Sequence, residues 1–377
     1  MTEYLVLASN FNRWAGPNNP LLDLCNYLHR NLGVDLALAT HDAMYSGSFL
    51  KHVGFPILPV LEGTRSDPMT RLAFAPTNVF VIRKLIRFLK IQANKIFVNA
   101  SIDTLFETHF AINARIVTGY NALGNEAKST MFNLLDRLAI STSVGRIAAN
   151  SAYQKTLYQK MGIDENKITV IPHCIDLRRI EKSAGKKNDD GAETSNETTI
   201  FYGGRLSAEK GIGELFECYQ SLLKETSARL VLIGDGPLRD WILGKKKQIE
   251  RKHGNSKIIF FGRWQPPEIL LKMMVESDIV ALPSYHEMCP IILLEAMCLK
   301  KAIVSTCLGG PREMITNGAN GLLIDPHDKN DLKDALTKLA TDSKLRDRLG
   351  ANAFQTLQQR YEVSVVAPRF LEFWDGD

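Results

Sequence analysis

The sequence predicts an α/β protein made of two doubly wound parallel-sheet domains that face each other across an interdomain cleft. Three observations predict it. The chain has 377 residues, too many for one ordinary core and suited to two. Apolar runs of strand length alternate with helical patterns through both halves, as in repeated βαβ units. Between the halves a polar run without periodicity, Lys182 to Glu197, breaks the alternation, which then restarts.

Taken in order, the first domain covers residues 1–182, with strands expected at Tyr4–Ser9, Val34–Thr40, Lys95–Ala100, Ala114–Tyr120, Arg146–Ser151 and Lys167–Pro172. Helices fit at Pro20–Asn31, Asn78–Gln92, Glu126–Ser141 and Ala152–Met161. The stretch from Tyr45 to Pro76, rich in Gly, Pro and isolated polar residues, carries no clear assignment. Residues 183–198 read as a polar linker. The second domain, 199–362, places strands at Thr199–Gly203, Arg229–Gly234, Lys257–Gly262, Asp278–Pro283, Ala302–Thr306 and Gly321–Ile324. Its helices fit at Gly213–Glu225, Leu238–His253, Pro267–Val275, Ile291–Leu299 and Lys329–Ala340. The last segment, 363–377, is apolar enough over Val363–Trp374 to pack back on the first domain. Ligands of such sheets bind beyond the carboxyl ends of the strands.

Composition narrows the class. An apolar share of 45% and a charged share of 23% are those of a soluble globular chain. No run approaches the roughly 20 apolar residues that span a bilayer. The start, Met1 to Ser9, has no basic region or cleavage signal and reads as a strand, so a cytoplasmic location is expected. The six cysteines show neither a CxxC pair nor zinc spacing, and buried reduced thiols are expected. Through residue 190 there are 22 basic and 16 acidic side chains; beyond it, 24 and 25. The first half is the basic one, which suits an anionic surface or substrate rather than nucleic acid specifically.

Glu287 and Glu295 carry the sharpest signal. An apolar strand, Asp278 to Ser284, runs into a short polar loop holding Glu287, and a helix starts near Pro290 with Glu295 in its second turn. Helix N-termini present unpaired N–H groups and partial positive charge, so this junction suits an anion. Carboxylates beside it need another task, and recognition of sugar or ribose hydroxyls is the obvious one. Arg205 and Lys210 follow the glycine turn Gly203-Gly204 at the end of another strand. Such a pair divides the work on a diphosphate, Arg as a bidentate fork and Lys as a mobile charge, unless it is simply a solvated loop. The turns Gly234-Asp235-Gly236-Pro237 and Gly309-Gly310 are ambiguous alone, either ordinary turns or points of close ligand approach.

Together and in order, Gly203-Gly204-Arg205 with Lys210, Gly234-Asp235-Gly236-Pro237, Glu287-x7-Glu295 with Ala296-Met297, and Gly309-Gly310 with Glu313 resemble glycosyltransferase family 4. These are the retaining nucleotide-sugar transferases of GT-B fold, with two Rossmann-like domains. The resemblance covers about Thr199 to Pro326, and the run from Val170 to Asp176 also fits. It implies that Arg205 and Lys210 hold the donor diphosphate and stabilise the leaving nucleotide. It further implies that Glu287 contacts the donor sugar, that Glu295 accepts from the ribose hydroxyls, and that backbone N–H groups after Pro290, at Ile291 and Ile292, meet the diphosphate. Gly204 belongs to the same donor site, Arg263 sits where the base is read, and Gly16 lies in the family's glycine turn after the first strand. The catalytic set so implied is Glu287, Arg205 and Lys210, with no metal and no cofactor beyond the donor.

Two departures stand out. Where the family often has Glu-Gly-Phe-Gly, this chain has Glu287-Met288-Cys289-Pro290, with less backbone freedom around the sugar. Cys289 reads as packing or as a lining of the sugar pocket. Many members carry a histidine where this chain has Tyr120 and Asn121. Tyr120 can hydrogen-bond a sugar hydroxyl but supplies no cation near neutral pH. His286, beside Glu287, is another candidate donor contact, whereas His109 on an apolar helix reads as structural. No Asp-x-Asp follows a strand, which argues against a metal-dependent transferase of the other common fold.

The expected activity is therefore transfer from a UDP- or GDP-linked sugar to a hydroxyl of a glycan, lipid-linked or small-molecule acceptor. Sugar-nucleotide epimerisation or hydrolysis, and a non-catalytic binding subunit, are the alternatives. A nicotinamide dehydrogenase lacks its glycine fingerprint after the first strand. The basic helix 82–91 has two readings. Ile82, Leu85, Ile86 and Leu89 share a face, leaving Arg83, Lys84, Arg87 and Lys90 either solvated or set against anionic lipid at a membrane surface.

Overall fold

The computed structural model describes residues 3–8, 18–41, 54–61, 80–92, 95–99, 116–118, 144–185, 197–253, 257–262 and 266–376. The chain divides into two compact units, Met1–Cys174 with Val363–Asp377, and Ile175–Glu362.

The first unit holds a parallel sheet of seven strands: β1 Tyr4–Ala8, β2 Leu36–His41, β3 Ile57–Leu61, β4 Ile96–Asn99, β5 Ile116–Thr118, β6 Val144–Ala149 and β7 Ile168–Val170. Their order is β3-β2-β1-β4-β5-β6-β7. The second unit repeats the plan with β8 Thr198–Gly203, β9 Ala228–Ile233, β10 Ile258–Phe261, β11 Ile279–Leu282, β12 Ala302–Thr306 and β13 Leu322–Ile324. Its order is β10-β9-β8-β11-β12-β13. In each sheet the chain winds outward from its first strand, then crosses over and winds the other way. This is the Rossmann order, and its crevice opens where the winding reverses, beside β1 and β4 or beside β8 and β11.

Why these residues make strands is plain in the second sheet. Every residue of β11 and of β12 is buried, as parallel strands covered on both faces require. Along β8, Ile200 and Tyr202 join one apolar cluster with the helix Ile212–Leu222, while Phe201 joins another with the helix Ile291–Cys298. Helix starts are fixed by short acceptors: the Asp176 carboxylate accepts from the N–H groups of Arg178 and Arg179, and Asp342 from that of Leu345.

The division between units falls after Cys174, so the helix Leu177–Ala184 belongs to the second unit and the polar run begins inside it. That helix was not among the sequence expectations, and other elements go beyond them as well. The strand β3 lies in the unassigned Gly/Pro-rich stretch, and the helix Ser343–Arg360 packs Ala353 and Leu357 beside Leu294 in the second unit.

The terminal helix Val363–Asp375 is part of the first unit. Phe370 and Trp374 pack edge-on to Phe97 and Tyr4, with ring centroids 4.9 Å apart in both cases. Polar contacts close its end. Arg146 donates to the carbonyls of Phe373 and Trp374 at 2.6 and 2.9 Å. Asp375 accepts from Lys95 at 2.6 Å and from the Tyr4 hydroxyl at 2.7 Å. Burial raises the Asp375 pKa, but hydrogen bonds from Lys95 and Tyr4 outweigh it and hold the carboxyl below its ordinary value. A lowered carboxyl contributes stability above its unfolded pKa of about 4, lost as pH falls through the folded value. Lys95→Met is expected to loosen this helix by about 1 kcal/mol, the scale of a partly exposed charge-assisted pair. Amide exchange over 363–375 checks it: the variant should exchange faster at pH 7, and the gap should shrink below pH 4.

No helix among the described residues is long and apolar enough to cross a membrane.

Candidate functional site

The site is built in the second unit, at the carboxyl ends of β8 and β11, the two adjacent strands on which the winding reverses. Four loops meet there, and backbone hydrogen bonds tie them together. Leu206 N–H donates to the Asp235 carbonyl at 2.9 Å, joining the loops after β8 and β9. Tyr285 N–H donates to the Glu209 carbonyl at 2.9 Å, joining those after β8 and β11. Gly310 N–H donates to the Glu287 carbonyl at 3.0 Å, joining those after β11 and β12.

Glycines permit this convergence. A Cβ on Gly234 would stand 1.8 Å from the Gly204 carbonyl oxygen, and one on Gly310 only 1.3 Å from that of Met288. Both turns that the sequence left ambiguous are therefore points of close backbone approach. What they approach here is protein backbone.

At the centre, Lys210 Nζ donates to Glu287 Oε1 at 2.8 Å. Seventy-seven positions apart in sequence, the two meet because β8 and β11 are neighbours. Their side chains are 24% and 13% exposed, so the pair is shielded yet reachable by a ligand. An ammonium has three donors, and one is engaged by Glu287. Lys210 sits at the end of a single 3-10 turn, Ala208–Lys210, just before the helix Ile212–Leu222. Ser207 donates to Glu209 at 2.6 Å, and that hydrogen bond, which outweighs burial, lowers the Glu209 pKa.

Arg205 is exposed, and its backbone is fixed: its carbonyl accepts from the Tyr202 hydroxyl at 2.8 Å and from Ser207 N–H at 3.1 Å. Burial raises the Tyr202 pKa, and the charges of Glu287 and Glu209 add to the effect. Tyr202 is therefore a neutral phenol, a donor that braces the cationic loop.

On the β11 side, Pro290 caps the helix Ile291–Cys298 with no side-chain acceptor, and Ile291 and Ile292 are half-buried. The first N–H groups of that helix have no partner within it. Ile292 reaches β8, where its Cδ1 would lie 3.1 Å from a Cβ on Gly203. The cationic loop, Glu287 and the helix start thus form one continuous patch. Glu295 is only 5% exposed, so little of it is open at the surface of the crevice. Cys289 is buried in the apolar cluster with Leu282 and Leu293, which makes it packing; Met288 and His286 are half-buried.

The sequence reading did not single out Tyr285. Its hydroxyl donates to Glu214 at 2.7 Å, which pushes its pKa up to about 12, and its ring lies 5.1 Å from that of His327. Nothing in the local sequence signals this brace, since Glu214 lies on a helix 71 positions earlier. Gly16, Tyr120, Arg263 and His109 lie outside the described residues. Among the described residues no cluster of His, Cys, Asp and Glu has the spacing to hold a metal ion.

Known proteins resemble the chain in both halves. The family model for glycosyl transferases group 1 matches residues 185–356, and that for glycosyltransferase family 4 matches residues 15–179. The D-inositol 3-phosphate glycosyltransferase of Nocardia farcinica is 30% identical over 222 residues, 57% of this chain and 49% of that protein. The alpha-D-kanosaminyltransferase of Streptomyces kanamyceticus is 28% identical over 168 residues, 44% of this chain and 42% of its own. The chain thus spans about half the length of the curated relatives it matches. Among solved structures, Anabaena HepE in complex with UDP and glucose superposes with a TM-score of 0.77 at 18% identity, over 98% of this chain and 99% of that one. The sucrose-phosphate synthase of Thermosynechococcus elongatus does so with a TM-score of 0.79 at 17% identity, over 99% and 98%.

Proposed function

This chain belongs to the group 1 glycosyltransferases of GT-B fold, related to family 4, and on that basis we propose that it moves a sugar, with retention, from a nucleoside diphosphate to an acceptor hydroxyl. The observation that carries the proposal is the Lys210–Glu287 pair, 2.8 Å apart at the point where the second sheet reverses its winding and beside an open helix N-terminus. An anion drawn to that N-terminus finds a cation already held in place.

Lys210 and Arg205 neutralise the donor diphosphate, while the N–H groups of Ile291 and Ile292 complete its cradle. Glu287 keeps Lys210 oriented and turns its second oxygen to a sugar hydroxyl. Glu295 takes the ribose, and Gly204, Gly16, Tyr120 and Arg263 complete the donor set. The bond from the anomeric carbon to the β-phosphate oxygen breaks, and the acceptor oxygen bonds to that carbon on the same face. Its proton passes to the departing phosphate oxygen. No protein nucleophile and no metal enters this scheme.

The donor is UDP- or GDP-linked; UDP is the nucleotide in complex with Anabaena HepE. The acceptor is a glycan, a lipid-linked or a small-molecule hydroxyl, and the reaction is assigned to the cytoplasm. For a lipid-linked acceptor, the basic helix of the first unit is the element that meets the membrane.

A thermal-shift panel of nucleotides and nucleotide sugars tests the donor site. A ligand at a hundred times its Kd stabilises by about 2.7 kcal/mol, so one UDP- or GDP-sugar should raise the Tm by several degrees. Lys210→Ala should abolish that rise. A panel in which no nucleotide stabilises the protein contradicts the proposal.

A further inference from the structure

The helix over residues 80–89 exposes a face that neither the sheet nor the transfer chemistry explains. Ile82 is fully buried, and Val81, Leu85, Ile86 and Leu89 pack partly buried on the first unit's apolar cluster. Phe80, Arg83, Lys84, Arg87 and Phe88 are exposed, at the i, i+3, i+4, i+7 and i+8 spacing of one helical stripe. Phe88 is 83% exposed and Phe80 58%, the two most exposed large apolar side chains among the described residues. They stand about 12 Å apart along the axis, at 1.5 Å per residue, with three cations between them. Lys84 Nζ lies 4.6 Å from the centre of the Phe80 ring. Between Asp67 and Asp103 the chain has no acidic residue, while Arg71, Arg83, Lys84, Arg87, Lys90 and Lys95 are all cationic.

Solvation alone accounts for the cations but not for the aromatic rings. A helix that only covers a sheet gains nothing from two phenylalanines held in water at the ends of its outer face. A lipid interface accounts for both. Rings seat at the boundary between headgroups and acyl chains, and Lys and Arg meet the anionic headgroups above it.

We propose that this stripe is a docking face for an anionic lipid bilayer, with Phe80 and Phe88 entering the interface and Arg83, Lys84, Arg87 and Lys90 reading its charge. Charge complementarity selects the occupant. The uninterrupted basic segment disfavours a basic protein surface, and the exposed rings disfavour a purely soluble anion. Docking through this helix of the first unit does not depend on the donor site of the second.

Co-sedimentation of the full chain with liposomes tests it. Vesicles of neutral phosphatidylcholine are compared with vesicles in which about a third of the lipid is phosphatidylglycerol. Strong binding is expected only to the anionic vesicles. The variant carrying R83Q, K84Q and R87Q should bind on the order of a hundredfold more weakly, from about fivefold per cation. The variant carrying F80S and F88S should also lose binding, and the loss should persist at low salt. K245Q with K247Q, on the basic helix Arg239–His253 of the second unit, should bind as the unaltered chain does. All three variants should keep the nucleotide-induced thermal shift, which separates a failure here from one at the donor site. Binding that survives both helix variants overturns the proposal. So does absence of binding to anionic vesicles with self-association that F80S and F88S abolish, which assigns the face to a second copy of the chain.

Discussion

Lys210→Ala is expected to lower sugar transfer at saturating donor by at least a hundredfold while leaving the fold intact. The loss has two parts. Removing a preorganised donor aimed at developing charge typically costs two to three orders of magnitude. The substitution also strands Glu287, 13% exposed, without its 2.8 Å partner, and an unpaired shielded charge costs about 1–3 kcal/mol. Glu287→Gln should cost a comparable factor, because the amide neither holds the ammonium by charge nor accepts through two oxygens. The two losses should not add: in a double-mutant cycle the pair should show a coupling of about 1 kcal/mol or more, since each single change already breaks the same contact. Initial rates for the four proteins decide it. Independent, additive effects, or full activity in either single variant, contradict the assigned roles.

Gly310→Ala should have the largest effect on the folded site itself. Gly310 has φ −63° and ψ −34°, an ordinary right-handed conformation that alanine adopts freely. The cost is therefore entirely one of space. The new methyl would stand 1.3 Å from the Met288 carbonyl oxygen and 2.3 Å from its carbon, atoms of backbone that no rotamer change can move. The loop from Glu287 to Pro290 must shift, and with it both Glu287 and the helix start. A loss of about 3 kcal/mol in stability is expected, the upper range for overpacking, together with loss of the nucleotide-induced thermal shift. Gly213→Ala is the matched control, since nothing lies within 4 Å of its added Cβ. Within a helix that change should be neutral or stabilising by up to about 1 kcal/mol. Denaturant titration of the two variants separates space from propensity.

The fold was legible because its strands are buried on both faces. Ile279 to Leu282 carries the unbroken apolar signal of a central parallel strand, Ala302 to Val304 carries it into the buried Ser305 and Thr306, and the pattern places each strand within a residue. Where the signal failed, edge and surface positions explain it. β3 contains Pro59, which argues against a central strand but is tolerated here because β3 lies at the sheet edge. The helix Ser343–Arg360 alternates charged and small residues with apolar ones, and only its Asp342 cap marks its start. The aromatic stripe of the helix over 80–89 has a weaker signal, because the spacing puts Ile82, Leu85, Ile86 and Leu89 on one face but does not by itself say how far Phe80 and Phe88 stand out from it.

At the site, residue types and spacing named Arg205, Lys210, Glu287 and the helix start. Their meeting depends on sheet order, which motif spacing alone does not encode: β11 must lie directly beside β8 although β9 and β10 intervene in the chain. The burial of Glu295 and the Tyr285–Glu214 brace depend on packing across helices and had no sequence signal.

The most direct test is incubation of the unaltered chain with an isotopically labelled UDP- or GDP-sugar identified in the thermal-shift panel, with and without hydroxyl acceptors, followed by NMR of the products. Retaining transfer predicts label in a new glycoside, formed only with acceptor, whose anomeric configuration matches that of the donor. Free or epimerised sugar in place of transfer, or a glycoside of inverted configuration, would contradict it.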